Sequence, residues 1–317
     1  MLVAFKSTIT PMLTMFFCII IGYALNKFKL LPENSDKVLA KFETYVFVPA
    51  LTVRTFMNYC TIETLISYRS LIIVSAVLIA VAIAISYPLS TLFSKKGYQK
   101  NIYKYALTFG NFGFLGNAIV PMILGDEFLY PYMLFTLPLS AMCYTWGIAT
   151  LIPKGNTNSK NVFKNLLNPG MISIAVGIIL GLTNAQAVVP SFLKLSLENL
   201  RLCMGPVAML LTGFVVAKYG LLDLLKKPMV YVATLFRLLI LPVLIITALC
   251  LLKVDDLIIK LCFFAFATPL GLNTVVFPSA YGEDASTGAS MALISHTISV
   301  ISIPLLYSIL VYILSIY

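Results

Sequence analysis

The sequence predicts an all-α polytopic membrane protein of ten transmembrane helices, built as two five-helix halves of opposite orientation. Three observations carry this. The 317 residues are 60% hydrophobic and only 11% charged, whereas a soluble domain carries about 25% charged residues. Mean hydropathy is +0.97, and the apolar residues gather into about ten stretches near the roughly 20 residues that a ~30 Å hydrocarbon core requires. The lysines crowd into alternate connections between those stretches.

The predicted spans follow in order. The first, residues 8–26, has no small-residue cleavage site and is followed by Lys27 and Lys29, so it reads as a retained helix rather than a signal peptide. Spans 38–57 and 69–93 come next, the former with Pro49 in its interior. Spans 102–124 and 129–152 complete the first half. The polar run "PKGNTNSKN", Pro153 to Asn161, is the most loop-like segment and divides the chain into repeats 1–153 and 154–317. The second half holds spans 169–183, 192–217, 228–252, 257–281 and 288–315, with Pro206 inside the second of these. No connection is long enough to fold as a soluble domain.

Loops after spans 1, 3, 5 and 7 carry fourteen lysines, among them Lys37, Lys41, Lys95, Lys104, Lys154, Lys164, Lys218 and Lys227; loops after spans 2, 4, 6 and 8 carry four basic residues, Arg69, Lys194, Lys253 and Lys260. The positive-inside rule places the first set in the cytoplasm and both termini on the extracytoplasmic side, in the plasma membrane. The net charge of +10 is thereby a topology signal, and nucleic acid is not an expected partner. Because each half has an odd number of spans, the second half enters the membrane inverted, as in many secondary transporters. One alignment supports a repeat: Asn117–Pro121–Gly125–Asp126–Glu127 ends span 4, and Asn273–Pro278–Gly282–Glu283–Asp284 ends span 9.

The same two spans are interrupted. "NFGFLGNAIVP" (Asn111 to Pro121) and "TPLGLNTVVFP" (Thr268 to Pro278) place helix-weakening residues deep in apolar segments. Asn111 lies about nine residues into its span, roughly 14 Å deep at 1.5 Å per residue. Gly110, Gly113 and Gly116 on one side, and Pro269 and Gly271 on the other, weaken the backbone ladder. Irregular backbone at that depth is tolerated when buried in protein or lining a cavity. If the breaks cross, two half-helix N-termini meet near the midplane and favour an anion. The Asn111 amide adds a donor for a carboxylate without a buried charge. The plainer account, glycine for close packing and asparagine as interhelical glue, serves one broken helix better than a matched pair.

These residues carry a resemblance. "FVPALT", "GNFGFLGNAIVPMILGDE", "LLNPGMISIAVGIILGL", "GPVAMLLTGFVVAK", "ATPLGLNTVVFPSAYGED" and "SHTISVISIPLL" resemble, in order and spacing, stretches of the auxin efflux carrier family, which includes plant auxin carriers and bacterial organic-acid permeases. The resemblance covers nearly the whole chain. It implies crossed helices 4 and 9, a fold like the sodium/proton antiporters and bile-acid symporters, and an elevator mechanism. It further implies that Asn111 contacts the substrate carboxylate and that Thr52 and Leu272 line the site. Pro269 matches the helix 9 proline. Gly110 stands where plant members have a proline, and Asn117 departs from a Gly-Ile-Pro pattern, making the pocket more polar than one for an indole.

Three ionisable residues complete the candidates. Arg54, near the end of span 2, reads either as an interfacial side chain that snorkels or as a second anion contact. Arg237, deep in span 8, is a functional candidate by depth, with a structural carbonyl contact the competing account. His296, the one histidine, is a proton-relay candidate or a hydrogen-bonded core residue. Glu43 and Glu198 are read near helix ends, so no carboxylate is expected mid-span. Coupling would then need His296, or Na⁺ held by carbonyl and hydroxyl oxygens; export down the membrane potential needs neither. No other cofactor or metal is expected. The six cysteines lack metal-ligand spacing. The absence of paired carboxylates, of HExxH and of a Ser/His/Asp set speaks against an enzyme.

The leading expectation is therefore a transporter of a small organic anion. The alternatives are a non-transporting sensor on the same fold and a cation-coupled antiporter. Malate-like dicarboxylates, monocarboxylates and indole acids all stay open as substrates. The partners are that anion, the bilayer and, as an assembly option, a second copy in a homodimer.

Overall fold

Long apolar runs without charge form helices in lipid because only a helix satisfies every backbone group internally. The computed structural model describes residues 1–95, 97–153, 166–280 and 283–316. Among them the regular elements are helical, with one isolated antiparallel bridge, Gly110 to Leu270. Labels here follow the predicted spans: α1 Leu2–Lys27, α2 residues 35–59, α3 Arg69–Phe93, α4a Gly97–Thr108, α4b Phe112–Leu124, α5 Asp126–Leu151, α6 Pro169–Leu182, α7 Ser191–Val216, α8 Pro228–Leu251, α9a Asp256–Phe266, α9b Asn273–Ala280 and α10 Ser286–Leu314.

Six of these, α1, α3, α5, α7, α8 and α10, are long and apolar enough to cross a membrane. This is a multi-pass integral membrane protein. The other predicted spans depart from that pattern for visible reasons. α2 carries charges at Asp36, Lys37, Lys41, Glu43 and Arg54, α4 and α9 are each broken into two, and α6 has only 14 residues. The outer faces are apolar: Phe17, Ile73, Val77 and Ile179 are exposed, as a lipid-facing surface requires. The inward face of α3 sets the small or polar Ser75, Ala82, Ser86 and Ser90 beside the apolar Leu71 and Ile79.

Helix packing follows from small residues. α1 lies against α7 and α10, α2 against α6 and α7, α3 against α4a and α5, and α8 against α9a and α10. At the α1–α7 contact the backbones nearly touch. A Cβ at Gly22 would strike the Leu210 carbonyl, and one at Gly213 the Ile19 carbonyl. Such close approach is how membrane helices gain dispersion contacts without a hydrophobic drive. Asn26 Nδ2 adds a bond to the Phe214 carbonyl at 3.1 Å.

The helices also contain π-turns, at Glu43–Phe47, Phe112–Gly116, Cys143–Gly147 and Phe236–Ile240. Each offsets its helix face at a residue of interest, a known habit of functional sites. One corrects the sequence reading. Glu43 is not near a helix end: the helix begins at Ser35, and Glu43 sits in the π-turn, 1% exposed, with both carboxyl oxygens unpartnered.

Candidate functional site

Pro269 has no N–H and disfavours helix at the residue before it, so α9a ends at Phe266 and α9b starts only at Asn273. α4 is interrupted over residues 109–111, where glycine and asparagine replace good helix formers. The two breaks lie against each other. The Asn111 N–H donates to the Pro269 carbonyl at 2.7 Å, Gly110 bridges Leu270, and the Leu270 N–H donates to Ser295 Oγ at 3.0 Å. Backbone groups released by one break are thus satisfied by the other break or by α10. That removes most of the cost of unpaired polar groups in a membrane interior.

Beside this meeting point lies a cavity of about 100 Å³, several times the roughly 10–15 Å³ that one ordered water needs. Thr52, Gly110, Asn111, Asn117, Gly271, Leu272 and Asn273 all line it. Pro269 does not; it contributes only its carbonyl, behind the wall. The start of α4b reaches the cavity through Phe112, Gly113 and Phe114, that of α9b through Leu272 and Asn273, and that of α6 through Gly170 and Met171. Helix starts present N–H groups without intrahelical partners and a partial positive charge. None of the lining side chains carries a formal charge at neutral pH.

Asn111 is 3% exposed and its amide is held from both ends. Oδ1 accepts from the Leu115 N–H at 3.4 Å, and Nδ2 lies 3.0 Å from His296 Nε2. His296 Nδ1 faces the Ala292 carbonyl at 2.7 Å. A carbonyl only accepts, so the ring proton is on Nδ1, and Nε2 accepts from Asn111. One amide hydrogen of Asn111 is left for a ligand. His296 stands behind the cavity as the side chain that orients Asn111. Asn273 Nδ2 donates to Tyr105 Oη at 2.7 Å, while Asn117 Oδ1 has no partner.

A family model described as membrane transport protein, that of the auxin efflux carriers, matches residues 7–307. The chain belongs to that family. A relative, an uncharacterized transporter of Schizosaccharomyces pombe, is 31% identical over 99 residues, 31% of this chain and 22% of its own length. This chain thus matches just under a quarter of that relative's length.

Two of the ionisable candidates lie away from the cavity. Arg54 Nε is 3.3 Å from Glu198 Oε2. Glu198 also accepts from Arg201 Nε at 2.7 Å, and Arg201 Nη2 reaches Asp126 Oδ2 at 2.7 Å. These four residues form an ionic cluster joining α2, α7 and the start of α5. Arg237 is fully buried; its Nη1 donates to the Leu107 and Thr108 carbonyls at 3.4 and 3.3 Å, and its Nη2 to that of Ala265 at 3.5 Å. It contacts residues beside both breaks and does not line the cavity. Three α5 residues that the sequence did not single out, Thr136, Ser140 and Tyr144, line the cavity. Their spacing of four places them on one helix face, and that run of hydroxyls was the available signal.

Proposed function

We propose that this transporter carries a small organic anion, a carboxylate, and that it binds at the junction of the broken helices. One observation carries the reading: an uncharged cavity onto which helix starts and the Asn111 amide converge. Two half-helix N-termini of roughly +0.5 elementary charge each complement a carboxylate, and the Asn111 amide hydrogen left free by His296 supplies a directed bond. Thr52 and Asn117 add polar wall, and Leu272 an apolar one.

We further propose ten spans in two inverted repeats, in the plasma membrane, with both termini extracytoplasmic. Packing supports the repeat: shifting each helix by five maps α1–α7 onto α6–α2, α3–α5 onto α8–α10, and α3–α4a onto α8–α9a, all of which are contacts in the structure. Movement would be an elevator-like alternation. A second cavity of about 460 Å³ shares Val48, Phe114, Tyr144, Gly170 and Asn273 with the first and continues past Thr44, Ile148 and Phe277. On the lysine-derived topology that is the cytoplasmic side, and the Arg54–Glu198–Arg201–Asp126 cluster lies on the other. The structure then corresponds to an inward-open state.

The test is uptake of radiolabelled malate, lactate and indole-3-acetate into proteoliposomes by wild type and Asn111→Ala. The reading requires uptake of at least one acid and its loss in the variant. Equal uptake by a folded Asn111→Ala protein would move the site elsewhere.

A further inference from the structure

A crossing of two broken helices creates four helix ends. The two N-termini, of α4b and α9b, face the cavity. The two C-termini, of α4a and α9a, expose carbonyls on the other side, each equivalent to roughly −0.5 elementary charge. In transporters of discontinuous helices, unwound carbonyls of this kind are where a coupling cation is held. Here they are already engaged. The Arg237 guanidinium reaches Leu107 and Thr108 at the end of α4a and Ala265 at the end of α9a. It also lies over the Phe266 ring, 5.7 Å from its centroid. Among the described residues no carboxylate pairs with it.

Gly110 is shaped to the same arrangement. A Cβ there would lie 2.6 Å from Arg237 Nη2 and 2.6 Å from Thr268 Oγ1. A larger residue at this position would push the guanidinium off its carbonyls. The glycine and the arginine form a matched pair 127 positions apart in the chain.

We propose that Arg237 is the resident cation of the helix crossing, filling with a guanidinium the carbonyl cage that would otherwise call for Na⁺, and so leaving only the two N-termini unbalanced. This rests on the anion-carrier reading above and deepens it: Arg237 is a positioning residue that sets anion preference from behind the site. Two C-terminal half-charges total about −1, which one guanidinium balances; two N-terminal half-charges total about +1, which one carboxylate balances. Because Arg237 travels with both the loaded and the empty carrier, the net charge moved per cycle is that of the substrate alone.

The experiment is uptake of radiolabelled malate, lactate and indole-3-acetate by proteoliposomes, with Na⁺ or N-methylglucamine as the external cation. Wild type, Arg237→Lys, Arg237→Met and Gly110→Ala are compared. Wild-type uptake should change by less than about twofold on removing Na⁺, and an inside-positive potential should accelerate it. Arg237→Met should raise KM about tenfold or more, with part of the affinity restored in Arg237→Lys. Gly110→Ala, which crowds the guanidinium without removing it, should shift KM in the same direction and keeps the test open if the Met variant fails to fold. Uptake that requires Na⁺, or an unchanged KM in both Arg237→Met and Gly110→Ala, would overturn the proposal while leaving the anion carrier standing. No uptake of any of the three acids would overturn both.

Discussion

At the scale of single residues, the site depends on how Asn111 is held. Its amide is fixed by His296 on one side and the Leu115 N–H on the other, so the remaining hydrogen has one direction to point. A hydrogen bond to a charged group contributes about 1.5–3 kcal/mol. Asn111→Ala should therefore weaken binding of a transported acid roughly 10- to 100-fold, read by a thermal-shift titration. His296→Ala leaves Asn111 in place but frees it to rotate. Its loss should be smaller, about 2- to 10-fold, as for a neutral hydrogen bond. Asn111 was legible in the sequence as an amide at midplane depth between glycines. The role of His296 was not, because its partner is 185 positions away, and no periodicity reports such a contact. The Ala292 carbonyl at Nδ1 fits the hydrogen-bonded core histidine of the two sequence readings. Glu43 looks close to a helix end in a span starting at residue 38, but the charged helix begins at Ser35 and carries Glu43 inside, in a π-turn that hydropathy does not reveal.

At the scale of elements, the breaks in α4 and α9 were readable from glycine and proline alone, and their positions agree with the observed gaps. Their mutual hydrogen bond was not readable, since nothing local pairs Asn111 with Pro269. Close packing gives a separate test. Gly213→Val would drive a branched side chain into the α1 backbone at Ile19. Overpacking of this kind costs about 1–3 kcal/mol and should lower the melting temperature in detergent without a change in substrate preference among surviving molecules. The start of α10 gives a pH test. Asp284 accepts from the Ser286 N–H at 2.8 Å and from Ser286 Oγ at 2.9 Å, and Lys227 Nζ donates to that same Oγ at 2.6 Å. Burial pushes the Asp284 carboxyl up, but the bonds from Ser286 and the charge of Lys227 outweigh it and hold the group below its ordinary value. A depressed carboxyl stabilises the fold above its unfolded value, about 3.9, and that contribution is lost as pH falls through the folded value. Asp284→Asn should flatten the fall in melting temperature below about pH 4 relative to wild type.

At the scale of the whole molecule, composition alone identified a polytopic membrane protein, and the match over residues 7–307 places it in a membrane transport family. What composition does not convey is which state a carrier adopts. The ionic cluster of Arg54, Glu198, Arg201 and Asp126 ties α2 and α7 to the α4b–α5 corner on one side, while the cavity continues toward the other. Arg201→Gln removes the bonds to both Asp126 and Glu198. It should raise the labelling rate, by an impermeant maleimide, of a cysteine introduced at Asn58, beside Arg54 in the cluster's own pocket, in a background where the half-buried Cys203 is replaced. An unchanged rate would mean that the cluster does not hold that side closed.

The central claim is that an organic anion sits where the broken helices meet. The most direct measurement is an experimental structure of the protein with a transported acid bound. The account predicts its carboxylate within hydrogen-bond distance of Asn111 Nδ2 and of the first N–H groups of α4b, with Arg237 still on the Leu107, Thr108 and Ala265 carbonyls. An acid seated instead against Arg54 and Arg201, with the central cavity empty, would contradict it.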